Sequence, residues 1–230
     1  MNKITTLISD DHSIVRAGLR ILLEADGDIV VVGEATNGQQ AVQEAKRLRP
    51  RVVLLDLAMP LLNGIEAARQ IIRDVPSTRV LVLSAYSDDQ HVWQAIQAGV
   101  TGYLLKHTAA DDLLRAVRET AKGNAFVSPS ICQRLLTKWR TTQLNDDQVR
   151  KDPAALLSRR QSEVLQLIAE GYMSKQIAPM LSISLKTVEK HRQSLMQRLE
   201  LRNIAALTRY AIDSGIIESG LVPNMRFKAA

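Results

Sequence analysis

Three carboxylates, a hydroxyl and an amine stand at the ends of short apolar runs, and together they could bind and transfer a phosphoryl group. Each of the five follows such a run: Asp10 and Asp11 after 4–8, Asp56 after 52–55, Ser84 after 80–83 and Lys106 after 102–105. Short apolar runs bounded by polar residues are typical of buried strands in a parallel sheet. Because ligands of such sheets collect at the carboxyl ends of the strands, the spacing predicts one site at one sheet edge.

Within this predicted site, Asp56 is the natural phosphoryl acceptor. Three carboxylates at one edge repel one another unless a hard cation that prefers oxygen, such as Mg²⁺, neutralises them. A carboxylate can accept a phosphoryl group to give an acyl phosphate, and Asp56 follows the middle strand in sequence order. Lys106 would pair with the phosphoryl oxygens, and Ser84 would donate a hydrogen bond to them. For Asp10 or Asp11 alone, helix capping is an equally good interpretation.

The elements that must position these side chains alternate between strand and helix. After the first run, the residues Val15, Leu19, Leu22 and Leu23 recur on one stripe, which is typical of an amphipathic helix. Further helical patterns separate the later runs. This alternation predicts a doubly wound α/β domain with a parallel sheet.

The N-terminal part, to about residue 120, resembles the receiver domain of two-component response regulators. The motifs that carry the resemblance are Asp10-Asp11, Asp56-Leu57-Ala58-Met59-Pro60, Asn63-Gly64, Ser84-Ala85 and Gly102-Tyr103-Leu104-Leu105-Lys106. The resemblance implies a flavodoxin-like fold with a five-stranded parallel sheet. It also implies that a sensor histidine kinase phosphorylates Asp56.

The same resemblance implies a cofactor and a switch. Mg²⁺ would be held by Asp11, Asp56 and the backbone carbonyl of Ala58, and Asp10 would act on the ion through water or through neighbouring groups. The hydroxyl of Ser84 would turn toward the new phosphoryl group, and the ring of Tyr103 would change rotamer. From the sequence alone, Tyr103 is equally a core residue of an apolar strand.

Length, composition and charge bound the kind of protein. The chain has 230 residues, no apolar run near the roughly 20 residues of a membrane span and no secretory pattern at the N-terminus, so we expect a cytoplasmic protein. Cys132 is the one cysteine, which excludes an intrachain disulfide. Residues 1–125 carry 14 Lys and Arg against 15 Asp and Glu, whereas residues 126–230 carry 16 against 9. The second half is therefore the candidate for binding a polyanion.

The predicted organisation is a receiver, a linker, a DNA-binding domain and a tail, with boundaries at 1–122, 123–152, 153–218 and 219–230. The linker contains one helix, which begins at Ser128-Pro129 and runs to about Trp139. Residues 141–152 have few apolar side chains and precede Pro153. This composition is typical of a flexible tether.

From Leu157 onward the pattern is helical, and short helices joined by a tight break at 182–184 predict a helix-turn-helix. Ser174 is predicted to cap the helix before the break. The helix after the break, from Leu185 to about Leu199, has an apolar side that includes Val188. Its opposite side carries Lys186, Glu189, Lys190, Gln193 and Gln197. These side chains could read base edges in a major groove, although a solvated helix face is the alternative interpretation.

Residues 157–217 resemble the LuxR-type helix-turn-helix of NarL/FixJ response regulators. The motifs are Leu157-Ser158-Arg159-Arg160-Gln161-Ser162-Glu163-Val164-Leu165, Gly171, Lys175-Gln176-Ile177-Ala178, Ile183-Ser184, Thr187-Val188-Glu189-Lys190-His191 and Leu199. The resemblance implies that the helix from Leu185 enters the major groove and that the last helix, 204–213, pairs two domains. The implied candidates for phosphate contacts are Lys175, Ser184, Thr187 and Arg192. Gln161, where the family usually has Glu, and Pro179, inside the scaffold helix, depart from the pattern.

Together the two resemblances imply a phosphorylation-controlled transcription regulator that binds promoter DNA as a homodimer when phosphorylated. Its partners would be a sensor histidine kinase, duplex DNA and, as a further possibility, RNA polymerase. Its own catalysis would be limited to self-phosphorylation and self-dephosphorylation at Asp56. A receiver governed by protein contacts without phosphate is one alternative, against which the complete acidic set argues. A phosphoaspartyl phosphatase of the haloacid dehalogenase type is the other, but such enzymes resemble one another in having a second Asp at the position of Ala58.

Overall fold

The computed structural model divides the chain into two compact units, Met1–Val149 and Arg150–Ala230. It describes residues 3–85, 89–108, 110–129, 131–133 and 157–217. The predicted tether at 141–152, the predicted end of the linker helix near Trp139 and the predicted tail at 219–230 lie outside the described residues. The bounds of the four predicted segments stay predictions.

The first unit alternates strands and helices along the chain. Its elements are β1 (Ile4–Ser9), α1 (Ser13–Glu24), β2 (Ile29–Ala35), α2 (Gly38–Leu48), β3 (Val52–Leu55), α3 (Gly64–Asp74), β4 (Arg79–Ser84), α4 (Asp89–Gln97), β5 (Gly102–Leu105), α5 (Ala110–Lys122) and β6 (Phe126–Val127). Neighbouring strands pair in parallel, in the order β2-β1-β3-β4-β5-β6. The predicted doubly wound α/β fold is confirmed, and β1 and β3 lie side by side within the sheet.

The strand count differs from the prediction, because the sheet has six strands and not five. The short edge strand β6 pairs with β5, and the backbone N–H of Ser128 donates to the carbonyl of Tyr103 at 3.1 Å. A strand of two residues is too short for hydrophobic periodicity to reveal. Ile131, three residues further on, is 2% exposed and belongs to the buried core of this unit. The first residues of the predicted linker are therefore packed against the sheet.

Both faces of the sheet are covered, which explains the continuous apolar runs. In β3, the side chains of Val53 and Leu55 join the buried cluster under α2, α3 and α4. Val52 and Leu54 join the cluster under α1 and α5. A strand buried on both faces has no polar side to alternate with, so its sequence is apolar throughout.

Helix α1 follows the predicted apolar stripe only in part. Leu19 and Leu23 are buried and Val15 is half-buried, as predicted. Leu22 is 38% exposed and does not share the buried side of Leu19 and Leu23. Consecutive residues of a helix are about 100° apart around the axis, and Leu23 rather than Leu22 has the position that faces the sheet.

The second unit is helical, with α6 (Arg159–Ala169), α7 (Ser174–Met180), α8 (Leu185–Arg198) and α9 (Ile204–Asp213). Helix α6 ends as predicted before Gly171, whose φ of 92° suits glycine. At the start of α7 the N-cap position is Met173 and not the predicted Ser174; the side chain of Met173 makes no capping hydrogen bond, and the side chain of Gln176 accepts its backbone N–H at 2.8 Å. The helix also continues through Pro179. Among the described residues, no helix is both long enough and apolar enough to cross a membrane.

Candidate functional site: an acidic pocket and an exposed helix face

The parallel pairing of β1 with β3 brings two of the predicted carboxylates to one edge of the sheet. Asp10 follows β1, and its backbone N–H donates to the carbonyl of Ala35 at 3.1 Å. Asp56 follows β3, and its backbone N–H donates to the carbonyl of Ser9 at 2.9 Å. The ladder hydrogen bonds thus continue one step past the strands and hold both residues at the carboxyl ends.

The ammonium of Lys106 joins these two carboxylates. Its Nζ lies 2.7 Å from Oδ2 of Asp56 and 2.9 Å from Oδ2 of Asp10. The side chains of Asp10 and Asp56 are only 2% and 4% exposed, so these contacts are little screened by water. Lys106 itself is fixed after β5 by its backbone N–H, which donates to the carbonyl of Ser84 at 2.8 Å. Three separate strands therefore supply one charged constellation, called the acidic pocket below: Asp10, Asp11, Asp56 and Lys106.

The donor atoms of this pocket fit a divalent cation. Asp10, Asp11, His12 and Asp56 each offer one ligand atom, and these four atoms lie within 4.8 Å of one another. Carboxylate oxygens in this number are the donors that Mg²⁺ prefers. Ala58, whose carbonyl the resemblance implies as a further ligand, is buried two residues beyond Asp56.

Burial and neighbouring charges set the protonation of the pocket. Burial raises the pKa of Asp56 to about 6, the charge of Lys106 opposes the rise, and the charges of Asp10 and Asp11 add to it. For Lys106, burial disfavours the ammonium, but Asp56 and Asp10 outweigh burial and the net pKa is raised. Lys106 therefore stays charged, while the carboxylate of Asp56 is held in an environment that disfavours its negative charge. A bound cation would relieve that cost.

The loop after Asp56 turns back so closely that one position requires glycine. The N–H of Gly64 donates to the carbonyl of Leu57 at 2.8 Å. A Cβ placed on Gly64 would lie 2.0 Å from the backbone oxygen of Asp56. The preceding Asn63 caps α3 by accepting the N–H of Glu66 at 3.0 Å. The pair Asn63-Gly64 thus fixes the turn that carries Asp56, which is the physical content of that sequence motif.

Two residues of the site were missed by sequence reasoning. His12 points Nδ1 at Oδ1 of Asp11, at 2.8 Å, and its backbone N–H donates to Oδ1 of Asp10 at 2.8 Å. Arg16 on α1 donates from Nη1 to the carbonyl of Asp10 at 2.8 Å and pairs with Glu34 at 3.1 Å. The available signal was the run of three potential ligands, 10–12; no comparable signal marks Arg16, because its partners come from two different strands.

Two predicted switch residues lie inside the fold. Ser84 is the last residue of β4 and is fully buried, whereas the sequence placed it just after the strand. Tyr103 is 1% exposed within β5 and shares a buried cluster with Ile131. The carbonyl of Ser84 accepts the backbone N–H of Lys106 at 2.8 Å, and the switch roles of Ser84 and Tyr103 stay predictions.

Helix α8 has the predicted two sides. Val188 and Leu195 are fully buried. The exposed residues on the other side are Lys186, Glu189, Lys190, Gln193 and Gln197. The helix thus presents a row of hydrogen-bonding and charged groups without a large apolar side chain among them.

The start of α8 carries two of the predicted phosphate contacts. Ser184 caps the helix by accepting the N–H of Thr187 at 3.1 Å, and the two hydroxyls are 2.8 Å apart. Lys175 on α7 is exposed, and Arg192 on α8 is half-buried. A capped helix start with hydroxyl and cationic groups nearby is a suitable partner for a phosphate.

Gln161, the departure from the family pattern, ties α6 to α8. Its side chain accepts the N–H of Ser158 at 2.9 Å, while Ser158 accepts the N–H of Gln161 at 3.3 Å, so a capping box starts α6. The same amide donates to Ser194 at 3.0 Å and accepts from Arg198 at 3.2 Å. An uncharged amide can serve donor and acceptor partners together, which a carboxylate cannot.

The parallel sheet with its acidic pocket and the helix-turn-helix with its polar face together define a class of protein: a signal-receiving domain joined to a DNA-binding domain. Family models match both parts. The model described as "Response regulator receiver domain" matches residues 6–118, and the one described as "Bacterial regulatory proteins, luxR family" matches residues 155–211.

Individual relatives match across nearly the whole chain. "Response regulator protein VraR" of Staphylococcus aureus is 36% identical over 215 residues, which are 94% of this chain and 99% of the relative. A structure of the RcsB response regulator of Salmonella typhimurium is 31% identical with a TM-score of 0.62, covering 93% of this chain and 99% of that chain. A structure of two RcsB dimers bound to two parallel DNAs is 31% identical with a TM-score of 0.56 and the same coverages.

The chain belongs to the response regulators of the NarL/FixJ subfamily, which combine a receiver domain with a luxR-family DNA-binding domain. It is a phosphorylation-controlled, DNA-binding transcription regulator.

Proposed function

We propose that Asp56 accepts a phosphoryl group from a sensor histidine kinase and that this transfer controls promoter binding by the second unit. The observation that carries the proposal is the position of Lys106, whose Nζ lies 2.7 Å from Asp56 and 2.9 Å from Asp10 at the sheet edge. An ammonium in this place can pair with the oxygens of an incoming phosphoryl group.

The transfer needs one nucleophile and stabilisation of negative charge. A carboxylate oxygen of Asp56 attacks phosphorus, and the bond from phosphorus to the kinase imidazole breaks with its electron pair on nitrogen. Lys106 then pairs with the phosphoryl oxygens, and the hydroxyl of Ser84 donates to them. Asp11, Asp56 and the carbonyl of Ala58 would hold Mg²⁺, supported by Asp10. The ion supplies positive charge to the phosphoryl oxygens.

Catalysis by this chain is limited to its own Asp56. The pocket takes a phosphoryl group from a donor and loses it to water, and Ala58 stands where a phosphatase of the haloacid dehalogenase type has a second Asp. The observed fold and family support a regulator over an enzyme that turns over an external substrate.

Phosphorylation then shifts the receiver between two shapes. The added charge draws Ser84 and Lys106 to the phosphoryl group, and Tyr103 on β5 repacks with the face formed by α4, β5 and α5. To move a two-state equilibrium from 1:99 to 99:1, the phosphorylated form must be favoured by about 5.5 kcal/mol. Several charge-assisted hydrogen bonds together can supply this free energy.

At the promoter, we propose that α8 enters the major groove of DNA. Its base-reading residues are Lys186, Glu189, Lys190 and Gln193. The phosphate-binding residues are Lys175, Ser184, Thr187 and Arg192. We propose that two phosphorylated chains pair through α9. The RcsB dimers bound to DNA support binding of DNA as a dimer. RNA polymerase is a further partner in this proposal, and the cytoplasm, where bacterial promoters lie, is its location.

The direct test is labelling of the full-length protein by a small phosphodonor such as acetyl phosphate. We expect Mg²⁺-dependent labelling of the wild type and none of Asp56→Asn. The matched control is Asp111→Asn, which changes an exposed acid at the start of α5 and should be labelled like the wild type. Labelling of Asp56→Asn at the wild-type level would refute the proposed acceptor, and an unlabelled wild type that still regulates DNA binding would favour control by protein contacts alone.

A further inference from the structure

We propose that Arg16 is a positioning residue of the acidic pocket: its guanidinium holds the peptide group that joins Asp10 to Asp11 and thereby raises the affinity of the pocket for Mg²⁺. The inference rests on the proposed function in one respect, which is that the pocket holds Mg²⁺. What is new is that this affinity depends on a cation outside the set of ligands.

The guanidinium of Arg16 joins two neighbouring strands. Its Nη1 donates to the backbone carbonyl of Asp10 at 2.8 Å, and its Nε donates to Oε2 of Glu34 at 3.1 Å. Asp10 directly follows β1, and Glu34 belongs to β2, which pairs with β1. The side chain of Arg16 is only 13% exposed, so water competes weakly for these hydrogen bonds. One rigid planar group therefore ties the end of β1 to β2.

Glu34 provides a separate oxygen for Arg16. The next arginine of α1, Arg20, donates to Oε1 of Glu34 at 2.7 and 2.9 Å, whereas Arg16 uses Oε2. Of these two arginines, Arg16 is the one that also donates to the carbonyl of Asp10. The two side chains thus share a helix and a carboxylate partner and differ in the contact with the pocket backbone.

The carbonyl that Arg16 holds belongs to the peptide group between Asp10 and Asp11. A peptide group is planar, so a fixed oxygen restricts the ψ angle of Asp10 and the φ angle of Asp11, which set the directions of both side chains. The carboxylate of Asp10 is held in addition by Lys106, at 2.9 Å. Asp11 instead faces the imidazole of His12, a ring that is 59% exposed and therefore holds it weakly. The direction of Asp11 thus depends strongly on the backbone that Arg16 fixes.

The charge of Arg16 and its hydrogen bond to Asp10 have opposite effects on Mg²⁺ binding. A cation near the pocket repels Mg²⁺, so loss of the charge alone would raise the Mg²⁺ affinity. Loss of the hydrogen bond would free the peptide group and lower the affinity, since groups that orient metal ligands are worth about 10–100-fold. We expect the hydrogen bond to dominate, because the carboxylate of Glu34 offsets the charge of Arg16 from 3.1 Å. The sign of the change therefore separates positioning from simple electrostatics.

The test measures the Mg²⁺ affinity of the full-length protein by calorimetric titration. The variant is Arg16→Met, which keeps a long side chain but has no hydrogen-bond donor. The matched control is Arg20→Met, which removes an arginine from the same helix and from the same partner, Glu34. We expect the Mg²⁺ affinity to fall at least about tenfold in Arg16→Met and to change less than about twofold in Arg20→Met.

Labelling by acetyl phosphate over a series of Mg²⁺ concentrations separates positioning from a loss of folding. In Arg16→Met we expect the half-saturating Mg²⁺ concentration to rise by the same factor and the labelling rate at saturating Mg²⁺ to equal that of the wild type. A residue that only supports the fold would lower the free energy of unfolding without moving the half-saturating concentration. If Arg16→Met does not fold, Arg16→Lys replaces it, because Lys keeps the charge but lacks the planar fork, and its Mg²⁺ affinity should also fall.

The possible failures of the inference and of the proposed function give different results. An unchanged or raised Mg²⁺ affinity in the folded Arg16 variant, or an equal fall in Arg20→Met, would overturn the inference and leave the proposed function in place. A wild type that binds no Mg²⁺ would show that the proposed metal site itself is wrong, and the inference would fail with it.

Discussion

Asp56 is buried against two other carboxylates, and the ammonium of Lys106 lies 2.7 Å from its side chain. This arrangement disfavours the charged side chain in the metal-free protein and prepares it for cationic and phosphoryl partners. The charged carboxylate that the proposed function needs therefore lowers the stability of the receiver. Because the pKa of Asp56 is raised in the folded state, the free energy of unfolding of the receiver depends on pH.

In metal-free buffer we expect Asp56→Asn to stabilise the receiver more at pH 7.5 than at pH 4.5. Burial raises the folded-state pKa of Asp56 to about 6 from 3.8, so its protonated form contributes stability at low pH that is lost as the pH rises through about 6. Asn does not titrate, and at pH 7.5 the variant should gain on the order of 2–3 kcal/mol in free energy of unfolding. Urea denaturation at both pH values measures this difference, and an equal gain at the two would contradict the assigned burial cost.

Two lysines of the second unit should have different effects on DNA binding. Lys190 lies on the exposed side of α8 that we propose reads bases, so Lys190→Ala should cost about 1–3 kcal/mol on preferred DNA and relax specificity at one position. Lys175→Ala, at a proposed phosphate contact, should weaken binding to all sequences and reduce the salt slope by about 1. Titrations at several salt concentrations measure both, and identical behaviour of the two variants would argue against these assignments.

At the scale of elements, close backbone contacts and one unexpected strand decide how the pocket is held. The turn after β3 presses Gly64 onto the backbone of Asp56, while Gly18 in the middle of α1 has no atom near its missing Cβ. The residues after α5 add β6 to the sheet and bury Ile131. Asp56, the proposed phosphoacceptor, and the start of the predicted linker are therefore parts of one packed unit.

The two glycines provide a matched pair of substitutions. Gly64→Ala should destabilise the receiver by roughly 1–3 kcal/mol, because the new Cβ would lie 2.0 Å from a backbone oxygen and would force the turn to move. Gly18→Ala should stabilise it by up to about 1 kcal/mol through helix propensity. Thermal denaturation compares them, and tolerance of Gly64→Ala without loss of stability would show that the turn is not constrained as described.

Two isoleucines test whether the start of the linker belongs to the receiver core. Ile131→Ala should cost about 2–5 kcal/mol, because the side chain is 2% exposed within a buried cluster. Ile14→Ala, at a position that is 86% exposed on α1, should change the free energy of unfolding by less than about 0.5 kcal/mol. Denaturation of the two full-length variants measures these changes in free energy of unfolding. Equally small changes for both would mean that residues 123–133 act only as a tether.

Local sequence signals predicted the elements with long apolar patterns, and tertiary contacts determined the rest. The ends of β3 and β5 follow from such patterns and agree with the structure. The bounds of α9 came with the resemblance and agree as well. Strand β6 was missed because two residues have no detectable period. The ring of His12 reaches the pocket through a backbone hydrogen bond to Asp10, which a sequence pattern does not express. At the start of α7, the side chain of Gln176 accepts the backbone N–H of Met173, and the predicted cap Ser174 is the first helical residue.

At the scale of the whole molecule, the two units divide the chemistry by charge. Residues 1–149 carry 17 Lys and Arg against 17 Asp and Glu, whereas residues 150–230 carry 13 against 7. Phosphate contacts attract a basic unit to any duplex, in addition to the base reading proposed for α8. We propose that the receiver controls this binding. The central claim is therefore a coupling between chemistry at Asp56 and affinity for DNA.

The most direct measurement of this coupling is the affinity of full-length protein for DNA fragments selected from a random library, with and without acetyl phosphate and Mg²⁺. We predict that the phosphodonor raises the wild-type affinity at least about tenfold, a coupling of about 1.4 kcal/mol, and leaves Asp56→Asn unchanged. An equal rise for Asp56→Asn, or a labelled wild type whose affinity does not move, would contradict the account.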